Sequence, residues 1–346
     1  MTSAPAPVTI ALLVLGAAIF FAGRLEQAIA ASTPLPDPSA NTTVSDATSS
    51  NSDTVIDTIT LLPFIELRSC VPFTVLIAAP TNASTDGNAT LVIEAERDVY
   101  NKIDVTLLDG VLALSILGDF ETNNGIKCTI TLGNSSSLSG VHNSGTGNLI
   151  VGPGFRANNF TVASTAVGNT FVFGLNTSTA HVFSMGSSTV LLNGSVSDGG
   201  SLEVGGTSKV YLTGAIGGTL AVNLGGISTT YVQGLPGTAI QGSVEGLAKV
   251  RFTAGTCSVQ SPFQSILGSP FGDPCRKVQA GGPLFVFPSW SCGLRVGGRA
   301  TCTSDEAVSS PLAPVSVDLS IPATSYAMSV VRLRCLDPSH LDLDFL

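Results

Sequence analysis

Charge is scarce in this chain: Asp, Glu, Lys and Arg make up 11% of its 346 residues, against about a quarter in an ordinary soluble domain. The 15 Lys and Arg form no cluster and the formal net charge is -9. This argues against nucleic acid and against an anionic membrane surface as partners, since each calls for a positive patch. Three scattered histidines, His142, His181 and His340, and no paired CxxC spacing leave a structural zinc site without support. No cofactor is expected. One Trp and four Tyr make each large polar ring a position worth locating.

Apolar and small residues are plentiful. A hydrophobic fraction of 44% can fill a large core, and 37 glycines with abundant Ser and Thr take the place of charge at the surface. Residues 8 to 23 form an uninterrupted apolar run, followed by Ala28, Ile29 and Ala30, a small-residue pattern that fits cleavage of an export signal near Ala31. No Lys or Arg precedes the run, and a retained anchor is the alternative, in which case the chain would contact a membrane. Residues 31–57 are rich in Pro, Ser and Thr and nearly free of large apolar side chains, the composition of a disordered linker.

Seven Asn-x-Ser/Thr sites, at Asn41, Asn82, Asn88, Asn134, Asn159, Asn176 and Asn193, suggest that glycans supply the missing polarity of an exported surface. In that compartment seven cysteines read as disulfides with one thiol left over. Cys70 and Cys128 form the natural pair outside the C-terminal group. Within that group, sequential pairing of Cys257 with Cys275 and of Cys292 with Cys302, leaving Cys335 odd, is one arrangement among many.

From Ile59 onward strand-like segments follow one another: ITLLPFIEL, PFTVLIA, ATLVIEAE, KIDVTLLDGVLALSIL and IKCTITL. The Asp109-Gly110 pair signals a tight hairpin turn. Between Phe160 and Gly255 the chain repeats every twenty residues. Val162, Val182, Leu202 and Val222 form one series, and Val172, Leu192, Leu212, Val232 and Phe252 another. The series Thr170, Val190, Val210, Thr230 and Val250 runs beside the second, while Gly186, Gly206, Gly226 and Gly246 mark a corner. Units this small cannot bury their own apolar faces and must stack, so the expected fold is an all-β solenoid, a parallel β-helix with coils of about 20 residues. Strand parity places these series inside. A β-sandwich is the competing fold, but its loops of varied length would not hold the register.

The stretches PFTVLI, ATLVIEAERDVYNKIDVTLLDGVLALSI, IKCTITL and SGVHNSGTGNLIV resemble, in order and spacing, the putative auto-transporter adhesin head GIN domain family. The likeness covers about residues 59 to 255. It implies a single right-handed β-helix on an exported or surface-anchored protein, and it brings no catalytic residues. The expected organisation is a signal peptide over 1–30, a linker over 31–57, a solenoid over 58–256 and a cysteine-rich C-terminal cap over 257–346, with the Ile59 to Leu132 strands closing the other end.

An outward series, Phe171, Leu191, Tyr211, Tyr231 and Arg251, sets large side chains one above another. Rings so spaced on a rigid face can receive sugar rings, with Arg251 bonding their edges; Phe171, Tyr211, Tyr231 and Arg251 are the candidate binding residues. The opposing expectation is that the apolar stretch PLFVFPSW of the C-terminal segment covers this stripe. His181 points outward by parity and is expected to be exposed. The charged residues of the repeat are Asp198, Glu203, Lys209, Glu245, Lys249 and Arg251, and no two acids fall on adjacent units of one series, as a polysaccharide-cleaving β-helix would require. Regular Thr-x-Thr arrays, the mark of an ice-binding face, are also missing. The sequence thus points to a non-enzymatic adhesin-like protein, extracellular or on the cell surface, with carbohydrate or a surface protein as partner. A structural matrix or wall component is the runner-up and a polysaccharide-active enzyme the minor alternative.

Overall fold

The computed structural model describes residues 54–80, 87–122, 124–261, 273–279, 291–292 and 294–297. They form a β-solenoid of about six turns, each of about 20 residues. Two long parallel ladders make its main walls. In the first, Val162 pairs with Val182, Val182 with Leu202 and Leu202 with Val222; in the second, Val172 pairs with Leu192, Leu192 with Leu212, Leu212 with Val232 and Val232 with Phe252. All of these side chains are buried, each contributing about 1.5–3 kcal/mol relative to exposure. The Thr170, Val190, Val210, Thr230, Val250 column is fully buried beside them. The period of twenty is thus the length of one coil.

The corner glycines are required on two counts. Gly206 and Gly226 have φ of +66° and +68°, and a Cβ on either would stand 2.3 or 2.4 Å from the carbonyl oxygen of the glycine one coil earlier. That oxygen accepts a hydrogen bond from the next coil: Thr207 N donates to Gly186 O, Ile227 N to Gly206 O and Leu247 N to Gly226 O, each at 2.8 Å. The corners therefore continue the ladder, and a side chain there would break it.

A third, shorter wall joins the other two. Leu175, Thr177, Val196 and Ile216 turn inward from it, and Asn176 pairs with Ser195, which pairs with Ala215. The strands Thr170–Ser184 and Thr189–Val204 run through this wall without a break.

The N-terminal strands extend both ladders. Glu66–Ser69 lies between Val111–Ile116 and Gly140–Asn143 in one, and Val75–Ala78 between Gly125–Thr131 and Leu149–Val151 in the other. Antiparallel strands finish this end: Ile103–Leu108 forms a hairpin with Val111–Ile116, while Thr54–Leu61 pairs with Ala89–Glu96, which pairs with Gly125–Thr131. The hairpin turn has φ of 51° at Asp109 and 77° at Gly110, the left-handed pair that matches the twist of a two-residue turn.

The segment ITLLPFIEL is not one strand. It divides into Thr54–Leu61 and Glu66–Ser69 around Pro63, which has no N–H to give a ladder. The first strand begins at Thr54, inside the expected linker, because Ile56 and the residues that follow find partners in Ala89–Glu96. Its Asp57 accepts a hydrogen bond from Tyr100 Oη. One four-residue helix, Arg97–Tyr100, turns the chain between strands.

The cysteine-rich segment touches both ends. Thr256–Gln260 and Cys275–Lys277 are the last rungs of the two ladders, and Cys257 and Cys275 are joined by a disulfide. Ser291–Cys292 instead pairs with Gly125–Thr131, and Arg295–Val296 with Phe120–Glu121, at the opposite end. Leu294 and Val296 are buried there in the same core as Phe120. Cys128 is a free, buried thiol and does not pair with Cys70, which is engaged in a different disulfide. Cys128 is buried in the core, with Val75 and Ile93 as its register partners on the flanking strands. Cys302, Cys335, the segment 1–53 and the stretch PLFVFPSW lie outside the described residues, as do Asn41 and Asn82.

Candidate functional site

The outward column of the second ladder forms as its spacing dictates. Phe171 pairs with Leu191, Leu191 with Tyr211, Tyr211 with Tyr231 and Tyr231 with Arg251, and the column continues through Ile150 at one end and Arg276 at the other. The Tyr211 and Tyr231 rings lie 6.3 Å apart and tilted by 44°, while Phe171 stacks on Phe173 at 6.4 Å. Most of the column is nonetheless hidden from solvent. Phe171, Leu191 and Tyr231 are 7%, 2% and 6% exposed, Tyr211 is half-buried, and Arg251 and Arg276 are open. The Tyr231 hydroxyl is buried without a hydrogen-bond partner. A ring this far covered presents no face to a sugar.

The first ladder carries His181 outward, but half-buried rather than exposed. Its Nδ1 lies 2.8 Å from Ser201 Oγ one coil on, and burial holds the imidazole below its ordinary pKa. Similar side-chain bonds tie other coils at a spacing of twenty: Asn193 Nδ2 donates to Thr213 Oγ1 at 3.0 Å, Thr207 Oγ1 to Ser187 Oγ at 2.8 Å and Ser243 Oγ to Asn223 Oδ1 at 3.1 Å. Their role is to brace the outer surface. Of the Asn-x-Ser/Thr sites in described residues, Asn134, Asn159 and Asn176 are exposed, while Asn88 and Asn193 are half-buried.

Carboxylates are not brought together in the repeat. Glu203 lies in the column Phe183, Glu203, Asn223, Ser243, and Glu245 follows the end of that ladder. Among the described residues no group of three or more His, Cys, Asp or Glu side chains could hold a metal ion. The two ion pairs found among them, Arg68 with Glu66 and Lys127 with Glu94, sit on the N-terminal strands.

The short third wall carries a concavity that the strand reading of the sequence missed. It measures about 360 Å³ and is lined by Ser136, Arg156, Ala157, Asn158, Asn176, Thr177, Ser178 and Ser197, of which Thr177 turns its side chain inward. Two polar series at near-coil spacing, Arg156 with Asn176 and Asn158 with Ser178, were visible in the sequence. They do not stand out there, because the two apolar series of each unit already account for its strands and Asn176 belongs to an Asn-x-Ser/Thr site.

Two long parallel ladders joined by a short third wall define a β-solenoid. Residues 81–255 match the family described as putative auto-transporter adhesin, head GIN domain, and the chain belongs to that family. It is similar to the crystal structure of a putative adhesin from Bacteroides fragilis NCTC 9343, with 22% identity over 60% of this chain and 94% of that one and a TM-score of 0.45. A putative adhesin from Parabacteroides distasonis ATCC 8503 is 10% identical over 61% of this chain and 93% of its own, with a TM-score of 0.42. A structure called a putative lipid binding protein, from the same organism, is 13% identical over 66% and 98%, with a TM-score of 0.42. No curated protein matches the chain.

Proposed function

We propose that this protein is a non-catalytic, adhesin-like component of the cell surface or extracellular space that holds carbohydrate on the outer columns of its solenoid. The observation that carries this reading is the register: equivalent outward side chains recur coil after coil on a backbone whose hydrogen bonds fix their spacing. A row of fixed polar groups suits a chain of sugar hydroxyls, which both donate and accept hydrogen bonds. The family's description supports an adhesive role. The dispersed carboxylates support binding without cleavage, since glycoside hydrolysis needs two acids facing one bond. Export would place Asn134 and Asn159, both exposed, among the glycan carriers, which is the reading's answer to a surface so poor in charge.

Retention of the secreted full chain on an array of plant, microbial and animal glycans tests this. Binding to a defined set of glycans is expected, with no fall in the chain length of the bound polysaccharide. A silent array would remove the carbohydrate ligand and favour the purely structural role, while shortened polysaccharide would overturn the non-catalytic reading.

A further inference from the structure

We infer that the concavity of the third wall is a binding site for an acidic sugar, one whose ring carries a carboxylate, and that Arg156 is its anchor. The inference rests on the carbohydrate reading above and assigns it a place and a ligand class.

The wall is built to stay fixed. Arg156 N donates to Ser135 O at 3.2 Å and Asn176 N to Phe155 O at 3.0 Å, so the backbones of three successive coils are joined beneath the site. The buried Thr177 side chain clamps them from inside, its Oγ1 within 3.2 Å of Asn158 O and 2.9 Å of Thr179 O. Across this floor Arg156 stands beside Asn176 in the register, with Asn158, Ser178 and Ser197 completing the lining. All but Ser178 are exposed, and Ser178 is half-buried. The volume of about 360 Å³ lies at the small end of the range of about 300–1,000 Å³ for small-molecule sites, enough for one or two sugar rings.

The chemistry of the lining selects the ligand. Arg156 supplies its only charge, and among the described residues that guanidinium has no acidic partner. A planar fork of N–H donors matches a carboxylate in two parallel bonds. Around it two carboxamides and three hydroxyls offer both donors and acceptors, as sugar hydroxyls do. No aromatic ring lines the site, so stacking does not contribute, and the charged pair with Arg156 is what favours an acidic sugar over a neutral one. The net charge of -9 opposes an anion at a distance. Screening over about 8 Å in physiological salt confines that opposition, whereas Arg156 acts at contact.

Asn176 heads an Asn-Thr-Ser glycosylation site, and a glycan there would fill the concavity, so the site is open only on chains unmodified at Asn176. The test therefore uses the full chain from a host that adds no N-glycans, titrated with trigalacturonate and with its fully methyl-esterified form, which carries neutral methyl esters in place of the carboxylates. Trigalacturonate is expected to bind at least tenfold more tightly than the ester. Arg156→Gln should remove that preference and Arg156→Lys restore part of it, both with an unchanged melting temperature, since the side chain is exposed. Arg97→Gln, at an exposed arginine of the short helix, should leave binding as it was. Equal affinity for acid and ester, no binding of the acid, or a loss with Arg97→Gln as large as with Arg156→Gln would each overturn the assignment. Should neutral glycans still bind on the array in that event, the adhesin reading stands and only this site falls.

Discussion

Single side chains in the coil wall have consequences of opposite sign. Thr230 lies in a fully buried column between Val210 and Val250, and its hydroxyl has no partner. A buried hydroxyl left unpaired costs about 1–3 kcal/mol, so Thr230→Val should raise stability by about 1 kcal/mol in denaturant unfolding. Tyr231→Phe should do the same for the covered phenol beside it. Gly206→Ala acts the other way: it meets both a left-handed φ and the Gly186 carbonyl, for a loss of about 2–4 kcal/mol read by the same measurement. Cys128 is fully enclosed, and burial pushes its thiol up to about 12. A pKa raised in the folded state gives stability that is complete below the ordinary thiol range near 8.5 and is lost as pH rises toward 12, by up to about 1.4 kcal/mol per pH unit. The window from about 8.5 to 10 belongs to this thiol, because Tyr100, also raised to about 12 by burial and its bond to Asp57, ionises in the unfolded chain only near 10. Cys128→Ala should flatten the stability curve in that window, and the native thiol should resist alkylation until the protein unfolds.

Elements that repeat with a constant step were legible before any coordinates. The inward series, the corner glycines and the hairpin at Asp109-Gly110 follow from strand parity and turn chemistry, which are local. What depends on distant parts of the chain was not legible. The Cys257–Cys275 bond was one of many arrangements the cysteines allowed, and spacing could not separate Cys70 from Cys128, because pairing depends on which strands the fold brings together. The Phe171 to Arg251 column was visible as a column, while its burial depends on what lies over it. The third wall escaped notice because its rungs are short and continuous with long strands. At this scale the Cys257–Cys275 disulfide closes the last coil, and its loss should cost about 3 kcal/mol. Nearest-neighbour stacking confines the damage. Replacing both cysteines with Ser should speed amide exchange in Lys249–Phe252 and Thr256–Gln260 and leave Thr189–Val204 protected; uniform loss of protection would contradict a stack of semi-independent coils.

The whole molecule is not simply a row of coils, because the chain returns to where its described part begins. Ser291–Cys292 adds to Gly125–Thr131, Thr122 N donates to Leu294 O at 2.8 Å, and Leu294 and Val296 fill the core beside Phe120. A chain stopped after Gln279 loses those two buried side chains, about 3–6 kcal/mol, or roughly 10 °C in Tm at about 2–4 °C per kcal/mol. A thermal melt of the truncated protein within a degree or two of the full chain would show that the returning strands add nothing. The same topology governs how the molecule bears a pull. Thr54 and Val296 both lie at one end of the described fold, while Cys275–Lys277 forms the last rung at the other. Tension applied between Thr54 and Val296 crosses only the antiparallel strands at their end, so the stacked coils beyond them stay outside the line of force and keep their shape under strain.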